Sequence, residues 1–232
     1  MSLELDIRTA IQRLEVSIQE TALGAGRDPG SIRYVLISKT VSEEQIREAY
    51  EAGARDFGES RAQNLVEKKR QMPIDIKWHM IGHLQTNKVK LVAGETALIH
   101  SLDSLELAQE IDSQAELKKI DRVPCLIQVN SSGEATKSGM LPEEAEAFAD
   151  QVKNLKTRLH GMMTIGPNTT DENKIREAFR TTADVFKRLA CKFPADQWNI
   201  LSMGMSGDYK IAIEEGSNLL RIGSAVFGER KK

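Results

Sequence analysis

The stretch Tyr34-Val35-Leu36-Ile37-Ser38-Lys39-Thr40 decides between the two architectures that fit this chain. Its apolar run, bounded by polar residues, predicts a short buried strand. A doubly wound open sheet normally places a glycine-rich dinucleotide turn after its first strand, and here Ser38-Lys39-Thr40 holds that position. The stretch therefore favours a closed barrel, with the open sheet as the alternative, and puts a lysine at the carboxyl end of the first strand.

Seven further units repeat the order of strand and helix along the chain. Strict alternation implies parallel strands, because each helix must carry the chain back across the sheet. Strands are predicted at 34–37, 55–58, 77–82, 97–100, 123–130, 159–165, 198–202 and 219–223, and helices at 3–23, 42–53, 61–70, 87–92, 105–117, 142–152, 172–190 and 208–215. We therefore predict an α/β protein with one (β/α)8 TIM-type barrel domain over residues 1–232 and an extra amino-terminal helix.

Length, charge and cysteine content exclude several classes of protein. The 232 residues fit a barrel slightly shorter than the roughly 250 typical of that fold. A formal net charge of −2 gives no general basic field for nucleic acid, and Glu67-Lys68-Lys69-Arg70 is interpreted as a solvated helix end. Two distant cysteines argue against a disulfide framework or a zinc site. Without a signal peptide or a membrane-spanning apolar stretch, we expect a soluble, cytoplasmic protein.

The predicted strand ends bring a distinctive set of residues together. The carboxyl ends of all eight strands of such a barrel meet at one face, where active sites lie. Besides Lys39, the set is rich in glycine, hydroxyl and amide groups. It comprises Gly58-Glu59-Ser60, Gly82-His83, Ser101, Asn130, Ile165-Gly166, Ser202 to Ser206, and Gly223-Ser224. This composition favours a binding face for a polar ligand over an acid/base hydrolase.

The segments after the last two strands indicate a phosphate site. Ser202-Met203-Gly204-Met205-Ser206-Gly207 leads into the helix that begins near Asp208, and Gly223-Ser224 follows the eighth strand. Barrels frequently bind phosphate with the loops after strands seven and eight. Glycines let backbone N–H groups approach an anion, and serines add hydroxyl donors. The structural alternative is a glycine-rich turn that requires positive φ angles.

A phosphate site and a lysine on one face point to pyridoxal 5'-phosphate (PLP), whose aldehyde forms a Schiff base with lysine. Arg221 supports this interpretation, because it lies inside the apolar strand Leu219-Leu220-Arg221-Ile222. An unpaired cation there would be costly, and an arginine can face the pyridine nitrogen of the cofactor. From the sequence alone, an ion pair between Arg221 and an acid inside the barrel is nearly as good an explanation.

Other residues offer rival sites. Lys137, in the loop after the fifth strand, is a second candidate amine and ranks below Lys39. His79 and His83 have a spacing that suits one helix face, but they are placed in a strand and a loop. Because no third ligand is near them, no metal site is predicted. Met203 and Met205 are interpreted mainly as packing residues.

Several motifs, in order from about Val35 to Gly228, resemble the pyridoxal-phosphate homeostasis protein family. They are Val35 to Thr40, Phe57-Gly58-Glu59, Trp78 to Lys88, Gln128-Val129-Asn130, Thr136 to Gly139, Leu201 to Tyr209, and Arg221 to Gly228. The family usually has asparagine after Phe-Gly-Glu, where this chain has Ser60. That departure puts a side-chain contact to the cofactor at this position in question.

The resemblance implies a barrel similar to the amino-terminal domain of alanine racemases, with PLP held as an internal aldimine on Lys39. It places Arg221 at the pyridine nitrogen and Ser206, Gly223 and Ser224 at the phosphate. Met203, Gly204 and Ser60 complete the cofactor-binding residues that we expect. The family is thought to bind and buffer PLP without an established catalytic activity, so apo-enzymes that use PLP are the expected protein partners.

Three functions follow from these features, and a non-catalytic PLP carrier is the first. The second is a PLP-dependent amino-acid racemase, which requires a second base opposite the lysine. In alanine racemases that base comes from a separate carboxyl-terminal domain, which this chain, read to Lys232, is expected to lack. Tyr209 is the candidate from its own motif. The third function is a phosphate-ligand barrel enzyme without a Schiff base.

Overall fold

The computed structural model describes residues 6–134 and 136–228 as a closed barrel of eight parallel strands in sequence order. The predicted (β/α)8 architecture with its extra amino-terminal helix is confirmed. The strands are β1 Arg33–Ile37, β2 Asp56–Glu59, β3 Lys77–Met80, β4 Leu98–Leu102, β5 Val123–Val129, β6 Thr157–Thr164, β7 Ile200–Met205 and β8 Leu219–Ile222. Pairing of β8 with β1 closes the barrel, with Val35 opposite Arg221 and Leu36 opposite Ile222.

Helices surround the barrel. They are α1 Ile7–Gly24, α2 Glu43–Glu51, α3 Ala62–Gln71, α4 Val89–Val92, α5 Leu105–Leu117, α6 Ala145–Val152, α7 Glu172–Leu189, α8 Tyr209–Glu214 and α9 Ser224–Phe227. The predicted start of the first helix at Leu3 lies outside the described residues. Asp6 caps α1, because its carboxylate accepts hydrogen bonds from the amides of Arg8 and Thr9. No helix in the described ranges is long and apolar enough to cross a membrane.

The apolar core forms two layers, because successive residues of a strand point to opposite faces of the sheet. The outer layer packs the strands against the helices, and the largest buried side chains, such as Trp78, Phe57 and Phe179, belong to it. A smaller inner layer fills the barrel. It consists of Val35, Ile37, Leu98, Leu126, Met163, Ile200 and Leu219.

The same alternation directs several polar side chains into the barrel. On β8, Leu219 belongs to the inner layer while Leu220 and Ile222 belong to the outer one, so Arg221 faces inward. On the same grounds Ser202 of β7 and His100 of β4 face inward. All three are buried. The barrel interior is therefore part apolar and part polar.

Gly161 lies at an irregularity in the pairing of β6 with β5. The register with β5 shifts by one residue, since Cys125 pairs with Leu159 but Leu126 pairs with Gly161. Gly161 has φ = +143°, and a Cβ there would lie 1.8 Å from the carbonyl oxygen of Ile200. This close approach of two backbones requires glycine.

The predicted elements differ from the structure at a few places. β7 continues to Met205, whereas the sequence pattern ended this strand at Ser202, and α6 begins at Ala145 instead of Pro142. The short helix α9 was not predicted. Cys125 is buried and Cys191 is exposed, and both are free thiols.

Candidate functional site

Lys39 lies two residues after the end of β1, at the carboxyl-terminal face of the barrel. Ser38 is fully buried and Lys39 is half-buried, so the lysine lies where the chain leaves the core. The next residue, Thr40, has φ = 65°, which is a genuine outlier for a β-branched side chain. The amide of Val41 donates to the carbonyl oxygen of Ser38 at 3.0 Å and closes the turn. Strain of this kind is stored at functional sites when the surroundings over-determine it.

A buried ion pair fixes the backbone that precedes Lys39. Lys68 Nζ lies 2.5 Å from Glu59 Oε1 and donates to the carbonyl oxygen of Ser38 at 2.6 Å. The Glu59 side chain is fully buried, and the Lys68 side chain is only 14% exposed. The prediction that residues 67–70 form a solvated helix end is therefore wrong for Lys68. A buried carboxylate requires a charged or hydrogen-bonding partner. In the sequence, the position of Glu59 at the end of a buried strand could have indicated that such a partner exists.

The ends of β1 and β8 lie side by side. Pairing continues from Val35 and Arg221 toward Ile37 and Gly223, and a Cβ placed on Gly223 would lie 3.6 Å from the Cβ of Ile37. This separation is an ordinary van der Waals contact, so the packing of the chain does not require glycine at Gly223.

Ser206, Gly223 and Ser224 come together around one oxygen atom. The amides of Gly223 and Ala225 both donate to Ser206 Oγ, each at 3.1 Å. Ser224 and Ala225 are exposed at this face. Two N–H groups that converge on an oxygen atom form the kind of concavity that holds phosphate oxygens. The structure thus brings together the three residues predicted for the phosphate.

Met203 and Gly204 lie within β7 and have structural roles of their own. Met203 is fully buried in the outer core, and its amide donates to Ser217 Oγ at 3.1 Å. Gly204 has φ = +90°, and a Cβ there would lie 2.6 Å from the Cβ of Ala212 on α8. The close approach of β7 to α8 therefore accounts for this glycine without a ligand. The phosphate segment predicted as Ser202 to Gly207 is in fact a strand up to Met205.

Arg221 is held by neutral oxygen atoms inside the barrel. Its Nη1 donates to Ser202 O at 2.9 Å and to Ser202 Oγ at 2.8 Å, and its Nη2 donates to Thr164 O at 2.7 Å. Within the described residues it forms no ion pair, so no acid partner of the anticipated kind contacts it. Burial lowers the pKa of the guanidinium to about 10, and the Asp208 carboxylate acts against that shift. The group remains a cation at neutral pH.

Two further candidates lie at the edge of this face. Ser60 follows β2, and its amide donates to Glu59 Oε2 at 3.0 Å. The Lys137 amine donates to Glu134 Oε1 at 2.8 Å and to the Gly166 carbonyl oxygen at 2.7 Å. Lys137 thus ties the loop after β5 to the loop after β6.

The two histidines considered as metal ligands point to different places. His79 lies inside the barrel, where its Nε2 is 2.9 Å from Asp56 Oδ1 and its Nδ1 is 3.0 Å from His100 Nε2. His83 is exposed on the loop after β3, with Nδ1 3.4 Å from Asp103 Oδ2. In the ranges that the structure describes, no three histidine, cysteine or acidic side chains form a metal-ligand group.

Comparison with known proteins places this geometry in a family. The family model described as alanine racemase, N-terminal domain, matches residues 40–231, a range that begins one residue after Lys39. The pyridoxal phosphate homeostasis protein of Helicobacter pylori is 39% identical over 229 residues, which cover 97% of this chain and all of that protein. The chain belongs to the pyridoxal phosphate homeostasis protein family.

Solved structures agree with this assignment. A protein of unknown function from Bifidobacterium adolescentis superposes with a TM-score of 0.90 at 33% identity, covering 96% of this chain and 94% of that one. PipY of Synechococcus elongatus, solved with PLP bound, superposes with a TM-score of 0.78 at 32% identity, covering 91% of this chain and 100% of PipY. Both superpositions cover more than nine-tenths of this chain, so it shares its barrel with these two proteins.

Proposed function

We propose that this protein binds PLP covalently through Lys39 and acts as a carrier or buffer of the cofactor without turnover. The observation that carries this proposal is the position of Lys39. It lies in the turn after β1, directly before the strained Thr40, and β1 pairs with β8, the strand before the converging amides. The PLP-bound relative PipY, at 32% identity, supports the choice of ligand.

The residues at this face fit PLP by chemistry. Gly223 and Ala225 supply N–H donors and Ser206 supplies a hydroxyl, which together suit a phosphate. Arg221 supplies a buried cation that does not protonate the pyridine nitrogen, so the cofactor becomes a weak electron sink when bound. The chain thus provides donors for the anion, a fixed positive charge and an amine.

The other residues of the site hold the lysine and keep it oriented. Lys68, paired with Glu59, fixes the carbonyl oxygen of Ser38, which also accepts from the amide of Val41 and closes the turn around Lys39. A lysine whose backbone is already fixed loses less conformational freedom when it forms a covalent bond. Binding is therefore favoured by pre-organisation.

The contacts of Tyr209 favour a carrier over a racemase. Its phenol oxygen lies 2.8 Å from Ser17 Oγ on α1, on the outer side of the barrel. A second base must reach the substrate from the face opposite the lysine, and a phenol engaged with α1 is poorly placed for that task. We propose a cytoplasmic location, with apo-enzymes that use PLP as recipients of the cofactor.

Borohydride reduction followed by peptide mapping tests the attachment site. The PLP-loaded protein is reduced and digested, and the peptides are identified by mass. We expect the reduced cofactor on the peptide that contains Lys39, because this lysine follows β1, which pairs with β8, the strand that leads into the phosphate donors. Recovery of the label on the Lys137 peptide would contradict the assignment of the lysine.

Exchange of the Cα proton separates the carrier from the racemase. The PLP-loaded protein is incubated with alanine and other amino acids in deuterated water, and isotope uptake is followed by NMR. We expect uptake no faster than with free PLP, because Tyr209 is engaged with α1. Sustained exchange above that background would reject the carrier and favour a racemase.

A further inference from the structure

Five polar side chains form a continuous line of hydrogen bonds through the barrel, which we call the interior relay. Asp56 Oδ1 lies 2.9 Å from His79 Nε2, and His79 Nδ1 lies 3.0 Å from His100 Nε2. His100 Nδ1 lies 3.3 Å from Ser202 Oγ, which accepts from Arg221 Nη1 at 2.8 Å. His100 and Ser202 are fully buried, and His79 and Arg221 are nearly so.

The interior relay has donors and acceptors in an order that lets every hydrogen bond form. The Asp56 carboxylate accepts, so His79 donates to it through Nε2. The other ring nitrogen of His79 can accept from His100 Nε2, whose Nδ1 can then accept from the Ser202 hydroxyl. Ser202 Oγ also accepts from Arg221, which can only donate.

The electrostatics of the line agree with this assignment. Burial, with nearby positive charge adding to it, holds the pKa of His100 well below its usual value, so the ring is neutral. Burial opposes ionisation of Asp56, yet the hydrogen bond from His79 keeps the pKa of this carboxyl below its usual value. The interior relay therefore has a cation at Arg221, an anion at Asp56 and the neutral His100 ring between them.

The interior relay joins opposite faces of the barrel. Asp56 begins β2 at the amino-terminal face, and its side chain is 28% exposed. Arg221 lies one residue before the end of β8, below the amides that converge on Ser206. Hydrogen bonds in a chain polarise one another in a low-dielectric interior, so a charge at one end is felt at the other.

We propose that Asp56, His79, His100 and Ser202 position Arg221 for the cofactor and supply part of its counter-charge from the opposite face of the barrel. This inference rests on the proposed binding of PLP on Lys39. Because the interior relay orients the Ser202 hydroxyl, a lone pair of Ser202 Oγ points toward Arg221 Nη1. This hydrogen bond fixes the plane of the guanidinium group. The four residues are positioning residues, since only Arg221 is assigned to the cofactor.

A double-mutant cycle tests the interior relay at Asp56 and His100. Asp56→Asn removes the charge at the far end, and His100→Phe breaks the line in the middle. The Kd for PLP and the visible spectrum of the loaded protein are measured for both variants and their combination. Asp121→Asn is the matched control, because Asp121 is an exposed carboxylate beside the start of β5 on the same face.

We expect His100→Phe to raise Kd roughly tenfold, the worth of one buried hydrogen bond, and Asp56→Asn to raise it about threefold. Both should shift the absorbance maximum. The double variant should equal His100→Phe, because the line is already broken there. Asp121→Asn should match the unmodified protein.

Other outcomes separate the two proposals. An unchanged Kd and spectrum in Asp56→Asn, with normal PLP binding by the unmodified protein, would overturn the interior relay alone. Additive effects of the two substitutions would overturn it as well. Failure of the unmodified protein to bind PLP would reject the proposed function. If His100→Phe does not fold, Asp56→Asn against Asp121→Asn still decides, because both substitutions are at partly exposed positions.

Discussion

Substitution of Lys39 by alanine is expected to abolish the visible absorbance band of the PLP-loaded protein completely. The band requires a Schiff base, and alanine at this position has no amine to form it. The substitution should leave the fold intact, because Lys39 is only half-buried and the turn is held by the backbone bond from Val41 to Ser38. The measurement is a spectrum after gel filtration, with circular dichroism as the check on folding.

Lys137→Ala is the matched control for this experiment. Both lysines lie in loops that follow barrel strands, and Lys137 donates to Glu134 Oε1 and to the Gly166 carbonyl oxygen. This variant should keep the band at its normal intensity. Retention of the band in Lys39→Ala together with its loss in Lys137→Ala would transfer the Schiff base to Lys137.

Gly161→Ala is expected to destabilise the protein by about 4 kcal/mol, which combines overpacking against a backbone with a strained φ angle. The new Cβ would lie 1.8 Å from the Ile200 carbonyl oxygen, so β6 and β7 must move apart. For a chain of this size such a loss lowers Tm by roughly 10 °C. Urea denaturation followed by circular dichroism measures the free energy of unfolding.

Substitutions at two other glycines distinguish backbone strain from steric overlap as causes of this loss of stability. Gly53 has φ = +108° with no atom within 4 Å of the added Cβ, so Gly53→Ala reports strain alone, about 1–2 kcal/mol. Gly24, at the end of α1, also has open space and no positive φ, and Gly24→Ala should change the stability by less than about 1 kcal/mol. Equal losses for Gly161→Ala and Gly53→Ala would show that the backbone contact has no effect.

The architecture could be predicted from the sequence because its signals are local. Each strand is a short apolar run and each helix has apolar residues at regular spacing, so eight alternating units were visible without any knowledge of contacts. The predicted helix from 172 to 190 agrees with α7, Glu172–Leu189, within one residue. Lys39 could also be placed, since a residue at the end of a barrel strand lies at the carboxyl-terminal face.

The features that could not be predicted depend on contacts between distant parts of the chain. Gly204 suggested a loop, but it belongs to β7, at a position where a bulkier residue would collide with Ala212 of α8. Lys68 suggested a solvated helix end, but it pairs with Glu59, which is buried on a neighbouring strand. The interior relay joins β2, β3, β4, β7 and β8, and nothing in the local pattern around His100 indicated its partners.

The place where the barrel closes has a kinetic consequence. Lys39 follows β1 and Arg221 belongs to β8, the first and last strands, whose pairing is the most distant in sequence. Such a contact forms late in folding, because the entropy lost in closing the long intervening loop must be overcome before the strand pairing can stabilise the chain. The binding site therefore does not exist in a partly folded chain. Capture of the cofactor should report completion of the barrel and slow the opening of the β1–β8 junction.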